Sequence, residues 1–282
     1  MKLAMEAMNY GTTTIEMKSG YGLSLESELS LLKAIDIVRK EVPIRIISTF
    51  MGAHDFPPEY SDDRSAYVDL LINEMLPSIK EQGLAEFCDI FTDTGYFTIH
   101  DSMRILESAS ALGFKLKVHA DELTPFGAAE MAGAMHAVSA DHLLFCSQEG
   151  MKAMKQAGTI ATLLPGTAYT LKLQYAPART MIEQGLIVAL ATDCNPGSCY
   201  TPNMQLILSL ACTNMGMSIE EAITASTLHG ALALCAEDIC GSIEVNKSAD
   251  FIMLDTHSYP DIVYHFGVNH VQETWAMGKR VV

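Results

Sequence analysis

The chain is poor in cations. Its 18 lysines and arginines stand against 34 aspartates and glutamates, a formal net charge of −16. That excess of negative charge excludes nucleic acid and anionic membrane surfaces as partners, since either would repel it. No apolar run approaches the roughly 18 residues that span a bilayer. The first residues, Met1-Lys2-Leu3-Ala4-Met5-Glu6, carry an acid early and hold no continuous apolar core, so they do not read as a signal peptide. Seven cysteines are present and none forms a C-x-x-C pair. An odd, unpatterned set reads as reduced thiols of a cytoplasmic protein. There is no linker, no low-complexity segment and no internal repeat.

What remains is a 282-residue chain of 49% hydrophobic composition, enough for one large core. The elements alternate. Strands are predicted at 12–17, 44–50, 87–92, 115–119, 137–142, 159–164 and 187–192. Between them lie predicted helices at 66–82, 99–112, 125–135, 148–157 and 179–184, and another from Ser24 to just before Pro43. Strict β-then-α alternation means parallel strands with crossover helices. Seven strands are one short of the eight that close a barrel. The chain opens with the end of a helix, which leads to the expectation of a (β/α)8 TIM-type barrel lacking its first strand. An open edge at strand 12–17 would invite association, and a homodimer is expected of the full-length protein. After Cys235 the texture changes to short strands without helices, with a turn at Gly278. Residues 1–235 are therefore expected to be the barrel, and 236–282 the C-terminal part of a small β-sandwich domain.

Three strand ends carry groups that bind metals or move protons. The strand at 115–119 closes on His119, with Glu122 three residues on. The strand at 137–142 closes on His142, and that at 187–192 is followed by Asp193. In parallel barrels, catalytic groups gather where strands end, so His119, His142 and Asp193 suggest one metal-assisted hydrolytic centre. A lone histidine is more often structural than ligating, but its place at the strand tip favours His119 as a ligand. Asp193 ends an apolar run, where an acid is costly without a partner. Glu122 is either a helix-entry acid or a group facing substrate, and its position beside His119 favours the latter. His142 suits a proton-shuttling role better than ligation. Lys117 is conceivable as a Schiff-base nucleophile, yet it lies a pleat below the rim, where an ion pair with Glu16 is the stronger expectation. His100, His136, His229, His257, His265 and His270 read as structural.

The stretches Glu16-Met17-Lys18-Ser19-Gly20-Tyr21-Gly22-Leu23, Phe50-Met51-Gly52-Ala53-His54-Asp55-Phe56-Pro57, Val118-His119-Ala120-Asp121-Glu122, Ala140-Asp141-His142 and Ala191-Thr192-Asp193-Cys194-Asn195-Pro196-Gly197-Ser198 together resemble the amidohydrolase superfamily. Within it they resemble the imidazolonepropionase family. The resemblance implies one zinc or iron ion held by His119, Asp193 and two histidines of a His-x-His motif on the first strand. It implies that water opens the ring amide of 4-imidazolone-5-propanoate, giving N-formimidoyl-L-glutamate in histidine degradation. Tyr21, His54 and Glu122 would contact this small-molecule substrate, while Asn195, Gly197 and Ser198 would line the product side. Glu122, His142 and Asp193 would be the catalytic groups. Relatives with two metals carry a carboxylated lysine at the end of the fourth strand; here that strand ends Asp89-Ile90-Phe91-Thr92-Asp93, which implies one metal. No His-x-His occurs in the sequence, so the expectation for these 282 residues alone is a partial copy with weak metal binding and little turnover. The alternatives are another mononuclear amidohydrolase, such as a nucleobase or triazine deaminase, and a non-catalytic barrel remnant.

Overall fold

A computed structural model describes residues 1–282. Seven strands form one sheet and are hydrogen-bonded in chain order. They are β1 (Thr14–Lys18), β2 (Arg45–Ala53), β3 (Phe87–Thr92), β4 (Lys115–Ala120), β5 (Ser139–His142), β6 (Ile160–Leu163) and β7 (Val188–Leu190). The pairs β2–β3, β3–β4, β4–β5 and β6–β7 are parallel, as helical crossovers require. The expected seven strands are all present. A second sheet is antiparallel, in the order β10 (Lys279–Arg280), β9 (Val271–Ala276), β8 (Phe251–Leu254). Met277 and Gly278 both take positive φ between β9 and β10, the geometry of a tight hairpin turn.

By its internal contacts the chain divides into two compact units. The first comprises Met1–Ile15, Glu41–Arg45 and Ile160–Val282. In it the helix Lys2–Asn9 is tied to the β9 region: Thr274 Oγ1 donates to the Met8 carbonyl at 2.8 Å, and Asn269 Nδ2 to the Asn9 carbonyl at 2.8 Å. Arg45 pairs with Asp250 at 2.8 Å. The second unit, Glu16–Lys40 and Ile46–Thr159, has a core of fully buried Leu32, Phe50, Tyr67, Leu71, Phe87, Ile90, Phe97, Ile105 and Val118. Every residue of β3 is buried, as expected of a strand covered on both faces.

Three elements depart from expectation. The single helix predicted at 66–82 is interrupted: α-helical turns at Arg64–Leu70 and Leu76–Gln82 flank a π-helical stretch, Leu71–Met75. Pro77 explains it, because its ring cannot accept a regular turn against the carbonyl four residues earlier, and a wider turn relieves the clash. A helix with no counterpart among the expected elements, Pro165–Leu171, follows β6; proline at the first helical position loses no hydrogen bond there. The C-terminal stretch contains one helical turn, Asp261–Tyr264, where only strands were expected.

Candidate active site

Register places the ionisable groups. Asp89 of β3 lies opposite Lys117 of β4, and His119 opposite Asp141 of β5. Side chains two apart share a face, so Asp89, Lys117, His119, Ser139 and Asp141 form one buried cluster, to which β1 adds Glu16 and Lys18. The Lys18 ammonium donates to Asp89 at 2.6 Å, to Glu16 at 3.1 Å and to Asp141 at 3.3 Å. Lys117 lies 3.4 Å from Glu16 and donates to Ser139 Oγ at 3.1 Å. Ser139 in turn donates to Asp141 at 2.8 Å, and Thr49 donates to Glu16 at 2.5 Å. Lys117 thus forms the expected ion pair.

His119 Nδ1 is 3.2 Å from Asp89 Oδ1. Burial opposes the charge on Lys18, Asp89, His119 and Asp141, and their mutual attractions outweigh it. The Asp89 carboxylate pushes His119 up to about 9. His119 and Lys18 hold Asp89 well below the usual carboxylate range, and Lys18 with Lys117 does the same to Asp141. Asp89, Glu16 and Asp141 raise Lys18 well above an ordinary lysine. With His119 protonated, three carboxylates face three cations.

The ligand-type atoms of Asp89, His119 and Asp141 lie within 4.8 Å of one another. Imidazole and carboxylate suit zinc and iron. Both carboxylates, however, already hold the Lys18 ammonium, which would repel a dication in their midst. Asp89 fits better as the partner that orients the ring. With Nδ1–H donated to Asp89, the lone pair of His119 lies on Nε2, and outer carboxylates commonly fix metal-binding histidines in this way. The residues present therefore fit a metal at His119 Nε2.

The loop after β4 is fixed on both sides of Glu122. The Asp121 carboxylate accepts from the backbone N–H groups of Phe126, Gly127, Ala128 and Ala129 at 2.9–3.1 Å. Asp93, at the end of β3, accepts from Leu123 N at 2.8 Å, Thr124 Oγ1 at 2.6 Å and Thr94 N at 2.7 Å. Glu122 between them is 8% exposed, and its nearest partner is His142 Nδ1 at 3.5 Å. That nitrogen is buried and makes no hydrogen bond. Among the carboxylates of this loop cluster, Glu122 alone is not saturated by N–H, hydroxyl or ammonium donors. The His142 and His119 rings lie 5.0 Å apart.

An aromatic series runs outward from His119. Its ring is 6.1 Å from Phe91, Phe91 is 6.0 Å from His54, and His54 is 5.1 Å from Tyr21. Tyr21 is 61% exposed. The expected group of Tyr21, His54, His119, Glu122 and His142 thus occupies connected positions within the second unit.

Asp193, Asn195, Gly197 and Ser198 belong to the first unit, in the loop after β7. That strand ends at Leu190, two residues short of the expected run; Ala191 N still donates to the Leu163 carbonyl at 3.3 Å, and Asp193 takes a positive φ of 51°. Thr167 Oγ1 donates to Asp193 Oδ2 at 2.5 Å. The Asn195 amide shapes the loop: its oxygen accepts from Gly197 N at 2.8 Å and Ser198 N at 2.7 Å, and its nitrogen donates to the Asp193 carbonyl at 2.7 Å.

The amidohydrolase family profile matches residues 5–281. The chain belongs to the amidohydrolase family. Its curated relatives include the imidazolonepropionase of Alkaliphilus oremlandii, 49% identical over 98% of this chain and 65% of the relative. That of Syntrophobacter fumaroxidans is 46% identical over 97% of this chain and 65% of the relative. The chain thus spans slightly less than two thirds of the length of these relatives. Among solved structures, an adenosine deaminase from Xanthomonas campestris with bound zinc superposes with a TM-score of 0.73 at 18% identity, covering 99% of this chain and 67% of the other. A mutant atrazine chlorohydrolase from Arthrobacter aurescens gives 0.79 at 15% identity, over 100% of this chain and 70% of the other. At such identities the likeness concerns the fold, an amidohydrolase barrel.

Several residues of this amidohydrolase site carry no assignment from sequence: Lys18, Asp89, Asp93, Asp121 and Asp141. Asp89 had a signal, since it interrupts the buried strand Phe87–Thr92, and an acid there demands a partner.

Proposed function

We propose that this chain carries the catalytic machinery of an imidazolonepropionase, which hydrolyses the cyclic amide of 4-imidazolone-5-propanoate to N-formimidoyl-L-glutamate in histidine degradation. The observation that carries the reading is the facing pair of Glu122 and His142 beside His119: a carboxylate 8% exposed stands 3.5 Å from a buried ring nitrogen that makes no hydrogen bond. The imidazolonepropionase relatives at 46–49% identity support the choice of substrate. One zinc or iron ion, held by His119 and Asp193, would supply polarisation of the carbonyl and water acidic enough to attack near neutral pH.

The protein's own groups do the rest. Asp93 and Asp121 hold the Glu122 loop so that its carboxylate is kept for the substrate ring. His142 and His54 polarise the carbonyl oxygen of the scissile amide. Asp193 takes a proton from the attacking water and returns it to the departing ring nitrogen. Tyr21, His54 and Glu122 contact the substrate; Asn195, Gly197 and Ser198 line the product side. Residues 1–235 would form the hydrolase barrel and 236–282 part of a small β domain, in a cytoplasmic homodimer.

Because no His-x-His occurs among the 282 residues, the test uses two proteins: this chain alone, and this chain joined to a His-x-His-bearing first strand from an imidazolonepropionase. Metal content and loss of the imidazolone absorbance are measured on both. The joined protein should bind one metal and turn over, and Asp193→Asn should lower its kcat by about 10²–10⁴. Ammonia release from a nucleobase or triazine, with no action on the imidazolone, would overturn the reading in favour of a deaminase.

A further inference from the structure

We propose that Glu28 is a positioning residue that moulds the Tyr21 loop and, through it, sets how tightly the enzyme holds its substrate; this rests on the reading of Tyr21 as a substrate contact. Glu28 lies in the helix Leu25–Glu41 and is fully buried. Its carboxylate accepts only from backbone: Gly22 N at 2.7 Å, Leu23 N at 3.1 Å, and Gly20 N at 3.1 and 3.2 Å from its two oxygens. No ammonium or guanidinium offsets the charge. A buried carboxylate is costly without such a partner, and here backbone N–H groups alone hold its charge. A capping-box glutamate would reach back to the N–H of the capping residue. Ser24 is that residue here, accepting from Ser27 N at 3.3 Å, and Glu28 instead binds the three N–H groups at 20, 22 and 23.

The loop is shaped around this carboxylate. A Cβ on Gly22 would come within 2.7 Å of Glu28 N and 2.8 Å of Glu28 Oε1. Gly20 has φ +122°, and a Cβ there would meet the Met51 carbonyl at 3.0 Å. On the other side Ser19 Oγ accepts from Met51 N at 3.0 Å, and Ser19 N donates to the Thr49 carbonyl at 3.0 Å. The backbone is therefore held from two directions while the Tyr21 side chain stands out, 61% exposed, 5.1 Å from the His54 ring. Glu28 touches no reacting group; it acts on Tyr21 by consuming the N–H groups on either side of it.

The test combines kinetics with a probe that needs no substrate, on the metal-loaded protein joined to the His-x-His-bearing first strand. Glu28→Gln keeps the shape but turns an NH2 group toward the Gly20 N–H. It should raise KM about tenfold, the size of one lost charge-assisted bond, with kcat within about twofold. Tyr21→Ala should raise KM similarly, and the double variant should be no worse than Tyr21→Ala, because coupled residues are non-additive. Gly22→Ala displaces the loop by crowding Glu28 N and Oε1 while leaving the charge of the carboxylate in place, and it should reproduce the Glu28→Gln effect should that variant fold poorly. Fluorine NMR of 3-fluorotyrosine protein, with the Tyr21 line assigned by Tyr21→Phe, should show that line shifted or broadened in both variants. An unshifted line in Glu28→Gln and Gly22→Ala, or KM effects that multiply in the double variant, would overturn the proposal. A shifted line together with an unchanged KM in Tyr21→Ala would support the hold of Glu28 on the loop and overturn Tyr21 as a substrate contact.

Discussion

In the metal-free protein a pH-dependent stability should originate in one buried ion pair, His119 with Asp89. Asp89 raises His119 from an ordinary 6.5 to about 9 in the folded chain. A raised histidine stabilises the fold fully below the unfolded value and loses that contribution as pH climbs through the folded one. The window therefore runs from about 6.5 to 9, and the interval corresponds to at most about 3 kcal/mol. The carboxylates behave oppositely. Asp89 and Asp141 are held below their ordinary value, so their contribution persists throughout this window and disappears only in acid. Lys18 is raised above 10.5 and does not titrate there either. Burial also pushes the Cys88 thiol upward, so the unfolded chain gains thiolate near pH 9 and the stability falls for a second reason. Asp89→Asn separates the two, since it keeps an acceptor for His119 Nδ1–H and removes the charge. Urea unfolding followed by circular dichroism, in chelator at about pH 6 and about pH 9.5, should show the parent losing about 2–3 kcal/mol more than the variant. Parallel curves for the two proteins would refute the assignment of His119 as the titrating group.

Asp121→Ala leaves four N–H groups without their acceptor and should cost about 3–5 kcal/mol in urea unfolding; an unchanged midpoint would show that the loop re-pairs by itself. Asp93→Asn turns one acceptor oxygen into a donor; should the amide face the Leu123 N–H, kcat is expected to fall about tenfold with KM nearly constant. A KM effect instead would mean that Asp93 shapes binding rather than the placement of Glu122. Gly133→Ala would bring a Cβ within 2.7 Å of the Ala153 backbone, between the helices Ala128–Ala134 and Gln148–Ala157, and should cost about 1–3 kcal/mol; a melting temperature equal to the parent's would show that these helices can separate without loss.

The alternation of strands and helices was legible because buried parallel strands are short apolar runs set off by turn residues, as at Phe87–Thr92 and Lys115–Ala120. The π-helical stretch at Leu71–Met75 was missed although Pro77 announces it, because an apolar stripe is nearly the same for both helix types. His119, Glu122 and His142 could be named from their places at strand ends. Asp89, Lys18 and Asp141 could not, since which acid meets which lysine is set by the register between β1, β3 and β5, which no local pattern encodes. Glu28 was hidden for a different reason. An acid in the first turn of a helix is ordinary, and only the three N–H groups converging on it give it a further role.

That distinction also separates an enzyme from a barrel remnant. The cluster of Lys18, Lys117, Glu16, Asp89, Asp141 and protonated His119 is balanced in charge, and such a cluster would persist in a protein that catalyses nothing. Glu28, Asp93 and Asp121 are likewise saturated. Glu122 and His142 are not: a carboxylate 8% exposed faces a ring nitrogen at 3.5 Å, and that nitrogen has no hydrogen-bond partner. Polar atoms left in that condition cost stability, and chains under no functional constraint replace them readily. Glu122→Gln, which removes the charge and keeps the volume, should therefore stabilise the protein by about 1 kcal/mol in urea unfolding, and in the protein joined to a His-x-His strand it should abolish turnover. If the variant is instead less stable than the parent, the carboxylate is a structural member of the loop, and the case for Glu122 as the group kept free for substrate fails.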